Sequence, residues 1–79
     1  MARALRTYRI VLELDPDQDS WNVTVPSLPG CFTYGRTQEE AVDRAQEAIR
    51  GYLEALAKRG EPIPPPDLTE PAVTVSSPA

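Results

Sequence analysis

The stretch Gly35-Arg36-Thr37-Gln38-Glu39-Glu40-Ala41-Val42-Asp43-Arg44-Ala45 is where one periodicity stops and another begins. Gly35 breaks a strand pattern. Thr37 with Glu40 three residues on is a capping box, in which the threonine hydroxyl accepts an orphan backbone N–H and the glutamate reaches back over the first turn. Downstream, Ala41, Val42, Ala45, Ala48, Ile49, Tyr52, Leu53 and Leu56 recur every three or four residues, one apolar stripe on a helix of about 22 residues. Acids come early (Glu39, Glu40, Asp43, Glu47) and bases late (Lys58, Arg59), as the helix macrodipole favours, and Gly60 stands where a left-handed cap belongs.

Upstream, the period is two. Tyr8, Ile10, Leu12 and Leu14 alternate with Arg9, Val11 and Glu13, which predicts a half-buried first strand. Asp15-Pro16-Asp17-Gln18-Asp19-Ser20 concentrates turn formers, and Trp21, Val23 and Val25 resume the alternation as the second strand of a hairpin. Pro26 ends it, Ser27-Leu28-Pro29-Gly30 forms another turn, and Cys31-Phe32-Thr33-Tyr34 is the third strand. If Cys31 and Thr33 face the helix, Phe32 and Tyr34 lie on the open face of the sheet as an exposed apolar patch.

Beyond Gly60 the chain is extended, because the prolines of residues 61–71 hold it near polyproline geometry as a stiff spacer. Ala72-Val73-Thr74-Val75 is β-branched and alternating, a short fourth strand before a frayed tail over 77–79. A right-handed crossover would lay that strand parallel to the first and beside it. The expected fold is α+β in the order β-β-β-α-β: a small three-stranded antiparallel meander, one long helix on one face, and the fourth strand parallel to the first. Residues 1–79 make a single domain with an ordered core over about 6–76.

Composition bounds the function. With 79 residues a single small core sits near break-even against chain entropy, and help from a partner or a second copy is expected. One cysteine and no histidine leave no disulfide, no zinc ligand set, no Cys/His pair and no histidine-dependent serine triad. Eight Lys+Arg against twelve Asp+Glu, a net charge of −4, gives no basic footprint for duplex binding. Apolar runs are far too short to span a bilayer, and the basic N-terminus leads into alternation, unlike a signal peptide. The expected location is the cytoplasm, with Cys31 a reduced, buried hydrophobe. Asp15, Asp17 and Asp19 imitate the start of a calcium loop, but Ser20 and Pro26 occupy the places that need Gly and Glu. No catalytic constellation, metal site or cofactor site is expected.

The segment Val25-Pro26-Ser27-Leu28-Pro29-Gly30-Cys31, followed by Gly35-Arg36-Thr37-Gln38-Glu39-Glu40-Ala41, resembles the signature of the HicB-like antitoxin family, V-P-x-L-P-G-C and then G-x-T-x-E-E-A. Ser27 and Arg36 depart from the acid or amide and the acid that family members often carry there. The resemblance spans roughly positions 6 to 76 and implies a partial ribonuclease-H-like fold. It also implies a HicA-type partner, a small basic ribonuclease that cleaves messenger RNA and that the antitoxin covers. Family members commonly add a C-terminal DNA-binding module; the chain ends shortly after Val75, so direct DNA binding is not expected.

Asp15, Asp17, Asp19, Glu39, Glu40 and Asp43 are the candidate contacts to such a toxin, since opposite charge raises the rate of encounter. Val11, Phe32 and Tyr34 are the candidate interface of a homodimer or higher homo-oligomer. The alternative function is a stand-alone homo-oligomeric domain with another protein-binding role and no toxin partner.

Overall fold

The computed structural model describes residues 4–67 and 69–77. Its elements are β1 (Ala4–Arg9), β2 (Val11–Asp15), β3 (Ser20–Thr24), β4 (Phe32–Gly35), α1 (Gln38–Lys58) and β5 (Ala72–Ser77). The α+β class and the antiparallel meander follow the sequence reading. β2 pairs with β3 from Val11↔Thr24 to Asp15↔Ser20, and β3 pairs with β4 from Trp21↔Gly35 to Thr24↔Phe32.

The link from β3 to β4 is a double turn. Leu28 N–H donates to Val25 O at 3.0 Å, and Cys31 N–H donates to Leu28 O at 2.9 Å. Pro29 and Gly30, the latter at φ +82°, fill the two central positions of the second turn, where a type II geometry asks for proline and then glycine. Leu28 between the two turns is fully buried, and Tyr52 Oη donates to Pro29 O at 2.8 Å from the helix above. Burial and turn chemistry therefore explain the P-x-L-P-G run without a binding role.

α1 starts and stops as its sequence directs. Thr37 Oγ1 accepts the Glu40 N–H at 3.0 Å, and Glu40 Oε1 accepts the Arg36 N–H at 3.2 Å. At the other end Gly60, at φ +70°, lets its own N–H reach Ala57 O and the Glu61 N–H reach Leu56 O, which satisfies two orphan carbonyls. The stripe Ala41, Ala45, Ile49, Leu53 and Leu56 is buried against Tyr8, Ile10, Val23, Val25, Leu28, Val73 and Val75. The helix lies over β3, β4 and β5. Leu12 is accordingly only half-buried and Leu14 is exposed, although both follow Tyr8 and Ile10 in the alternation.

Two expectations are corrected. The predicted first strand is split at Ile10 into β1 and β2, which belong to different sheets, and its start lies earlier, at Ala4. Ile10 is buried, and its N–H donates to Pro71 O at 2.8 Å while the next residue, Val11, already pairs with β3. The strand after the helix does lie beside the first, but antiparallel to it, from Ala4↔Ser77 to Arg9↔Ala72.

The spacer supplies the physical reason. A 21-residue helix is about 31 Å long, and an extended spacer of a dozen residues reaches about as far, so the chain makes a second pass before β5 begins. That pass is visible in its bonds: Asp67 N–H donates to Thr7 O at 2.9 Å and Ile10 N–H donates to Pro71 O, so the end of the spacer runs parallel to β1. A bend at residues 69–71 then reverses the chain into β5. β5 extends to Ser77, and the remaining residues of the expected frayed tail, Pro78 and Ala79, lie outside the described residues.

Candidate partner-binding surfaces

The meander register carries two acidic segments to one end of the domain. Asp15 closes β2, Ser20 opens β3, and Trp21 pairs with Gly35, two residues before the Thr37 cap of α1. The hairpin turn with Asp15, Asp17 and Asp19 therefore shares an end with the first turns of the helix and their Glu39, Glu40 and Asp43. This grouping is not apparent from either segment alone; the signal lies in strand length and hairpin register.

These acids differ in their commitments. Asp15 Oδ1 accepts the Asp17 N–H at 3.1 Å, which shapes the turn, and Asp19 takes a left-handed φ of 51°, a conformation aspartate tolerates. Glu40 is half-buried, holds the Arg36 N–H and pairs with Arg44 at 3.4 Å. Asp17, Asp19, Glu39 and Asp43 are exposed. Six carboxylates thus meet Arg36 and Arg44 at this end, and the excess is acidic.

The second surface is the sheet face away from the helix. Side chains alternate across a strand, so cross-strand partners share a face. One outward row is Val11, Thr24 and Phe32, and the next is Glu13, Asn22 and Tyr34. Phe32 is 73% exposed and Tyr34 61%, as the alternation predicts, while Val11 is half-buried. Arg44, which the sequence reading did not single out, stands with its guanidinium carbon 5.9 Å from the Tyr34 ring centroid. The seventh residue of the helix and a strand residue meet there only because α1 lies over β4.

Cys31 is buried beside the double turn, and burial raises its thiol above the ordinary 9.0, which disfavours the nucleophilic thiolate. Among the described residues, no group of three or more His, Cys, Asp or Glu is placed to hold a metal ion, and no helix is long and apolar enough to cross a membrane.

Comparison with known proteins bears on the fold and the family. Residues 8–76 match the family model described as HicB_like antitoxin of bacterial toxin-antitoxin system. A UPF0150 protein of Thermoplasma acidophilum is 47% identical over 57 residues, covering 72% of this chain and 81% of the relative. A UPF0150 protein of Synechocystis is 35% identical over 66 residues, covering 84% and 82%. In structure, the N-terminal domain of Burkholderia pseudomallei antitoxin HicB superposes with a TM-score of 0.69 at 28% identity, over 92% of this chain and 96% of that one. A chain of a HicA3 and HicB3 toxin-antitoxin complex shares the fold, with a TM-score of 0.66 at 24% identity over 92% and 99%. The sequence signature, the antiparallel meander beneath one helix and these matches together place the chain in the HicB-like antitoxin family.

Proposed function

We propose that this domain is a non-catalytic binding module that neutralises a small, basic, mRNA-cleaving toxin of the HicA type by covering its RNA-binding face. The observation that carries the reading is the acidic end, where Asp15, Asp17 and Asp19 join Glu39, Glu40 and Asp43 through the meander register. A ribonuclease surface must attract phosphates, so a carboxylate-rich surface competes for the same cations and is steered toward them. The family match supports this role, and the likeness to a chain from a toxin-antitoxin complex is consistent with it. The complex acts in the cytoplasm, where messenger RNA is the target and Cys31 stays reduced.

The test is titration of the chain with the basic protein encoded beside it, at low and at physiological salt. Asp17→Lys combined with Asp43→Lys lowers affinity about tenfold or more, mainly through the association rate, and flattens the salt dependence. Both residues are exposed, so the fold survives. Unchanged binding in the double variant, or no binding of the native chain at low salt, refutes the reading.

The alternative of a homo-oligomeric domain with another protein-binding role draws on the exposed Phe32 and Tyr34. It is compatible with the first, because the aromatics occupy the sheet face and the six acids occupy its end.

A further inference from the structure

We propose that the open edge of β2 is a strand-acceptor site: an extended segment of a basic partner, its Lys or Arg residues alternating with apolar ones, pairs antiparallel to β2 and lays its apolar side chains on Leu12, Leu14 and Trp21. The proposal rests on the toxin reading above only for which protein supplies the strand. The starting observation is a ladder that stops short. Val25 N–H donates to Cys31 O, so the odd-numbered residues of β3 bond to β4 and its even-numbered residues turn to β2. Their partners there are Val11, Glu13 and Asp15, which leaves the N–H and C=O groups of Leu12 and Leu14 on the outer edge. By the same alternation Ile10, whose N–H donates to Pro71 O, faces that edge, so β5 closes it along β1 and ends where β2 begins. Among the described residues no strand continues beside β2.

The face beside that edge is apolar and uncovered. Leu12 pairs with Val23 and Leu14 with Trp21, so all four side chains share the helix-side face. α1 lies over β3, β4 and β5, and beside β2 it leaves Leu14 52% exposed and Leu12 and Trp21 half-buried. The edge of β4 differs, because Gly35 there meets the backbone of Glu40 and Ala41 and the helix already occupies that margin. A strand added to β2 gains the bonds of Leu12 and Leu14 and sets alternate side chains on this shelf, which is how sheet edges capture extended peptides.

Charge selects the occupant. Leu12 and Leu14 make hydrogen-bonded pairs with the incoming strand, so Glu13 between them makes a non-bonded pair, the closer kind, with Cα atoms about 4.5 Å apart. The residue opposite Glu13 shares its outward face, where a Lys or Arg is stabilised and an acid is repelled. Glu13 is exposed and, among the described residues, has no ion-pair partner. Asp15, one step along the same face, and Asp17 in the turn add to the attraction for a cationic strand. A second copy fits poorly: the antiparallel register that bonds both leucines of each copy sets Glu13 against its own counterpart, a like-charge pair that costs stability.

The experiment is backbone amide exchange on the full chain alone, with the basic protein encoded beside it, and with a capped peptide of about seven alternating valines and lysines at about 1 mM. Alone, the chain exchanges the Leu12 and Leu14 amides rapidly while that of Glu13, bonded to β3, is protected. Either ligand slows Leu12 and Leu14 about fivefold or more, and a peptide with glutamate in place of lysine does not. Leu14→Pro removes an edge donor where proline is tolerated, and Glu13→Lys reverses the charge; each weakens both ligands about tenfold with an unchanged circular dichroism spectrum. Leu12 and Leu14 amides left unslowed by the peptide, or by the basic protein once bound, overturn the proposal, as do equal slowing by the glutamate peptide and unchanged affinities in both variants. Slowing that appears with chain concentration alone also overturns it and assigns the edge to a second copy. If Asp17→Lys with Asp43→Lys weakens the basic protein and Leu14→Pro does not, the edge proposal fails and the toxin reading stands. A chain that takes the peptide at this edge but never binds the basic protein upholds the edge and refutes the toxin reading.

Discussion

In the β2–β3–β4 sheet every strand pairs with the next one in the chain, through the hairpin turn after Asp15 and the double turn from Val25 to Cys31. β1, by contrast, meets β5 across 67 residues, where Thr7 and Thr74 touch through their hydroxyls at 2.7 Å. The first sheet closes short loops and has its register set by turn residues. The second closes almost the whole chain and depends on how the spacer is laid down. Each has one tyrosine holding its connection: Tyr52 donates to Pro29 O in the double turn, and Tyr8 donates to Pro64 O in the spacer. Local chemistry specifies one half of the molecule, and a few long-range bonds specify the other.

The largest effect is expected where the local half meets the helix. A Cβ on Gly35 would stand 2.8 Å from both Ala41 Cα and Glu40 C, against backbone that cannot swing aside as a side chain can. Gly35→Ala therefore forces the first turn of α1 off the sheet. The cost is about 3 kcal/mol, which lowers the melting temperature by roughly 10–20 °C for a domain of this size. A calorimetric melt of native and variant chains measures it. A shift of only about 1–2 °C would show that the junction yields without cost.

A smaller effect is expected in the long-range half. Tyr8→Phe keeps the buried ring and removes the Oη donor to Pro64 O, leaving a partly buried carbonyl unpaired at a cost of about 1 kcal/mol. The loss is local. Hydrogen exchange speeds up at the Asp67 and Ile10 amides and across β1–β5, while the amides of β3 keep their protection. Equal acceleration in both sheets would mean that the halves open as one unit.

The same contrast governs what could be read from the sequence. Thr37, Gly60, Pro29 and Gly30 each carry their structural instruction in their own backbone or hydroxyl chemistry, so the helix and the meander were legible from neighbours in the chain. The direction of β5 was not, because proline fixes extension without fixing heading. Heading is set by Tyr8 Oη, the Thr7 carbonyl and the Arg9–Asp67 ion pair at 3.8 Å, none of which leaves a periodic trace. The candidate surfaces divide the same way. Exposure of Phe32 and Tyr34 followed from alternation, but the approach of Arg44 to Tyr34 depends on where the helix lies over the sheet.

The smallest expected effect is a dependence on pH in which the two halves contribute at different points. Burial raises both Cys31 and Tyr8 above their ordinary values of 9.0 and 10.0, with Arg6 partly offsetting the rise at Tyr8. Both side chains are neutral when protonated, so the native state keeps protons that the unfolded chain releases, and stability falls as pH rises. Below the ordinary value of each group its contribution is fully present; it is lost through the interval up to the raised native value. The thiol belongs to the double turn and the phenol to β1, so the loss begins from about pH 9 through the local half and from about pH 10 through the long-range half. Urea midpoints measured from pH 8 to pH 11 test this in the native chain, Cys31→Ala and Tyr8→Phe. Each variant has its own stability at pH 8, so the comparison rests on the pH dependence alone. Cys31→Ala removes the earlier part of the decline, and Tyr8→Phe removes the later part. A decline that neither variant alters would place its origin in surface charge instead of in these two buried groups.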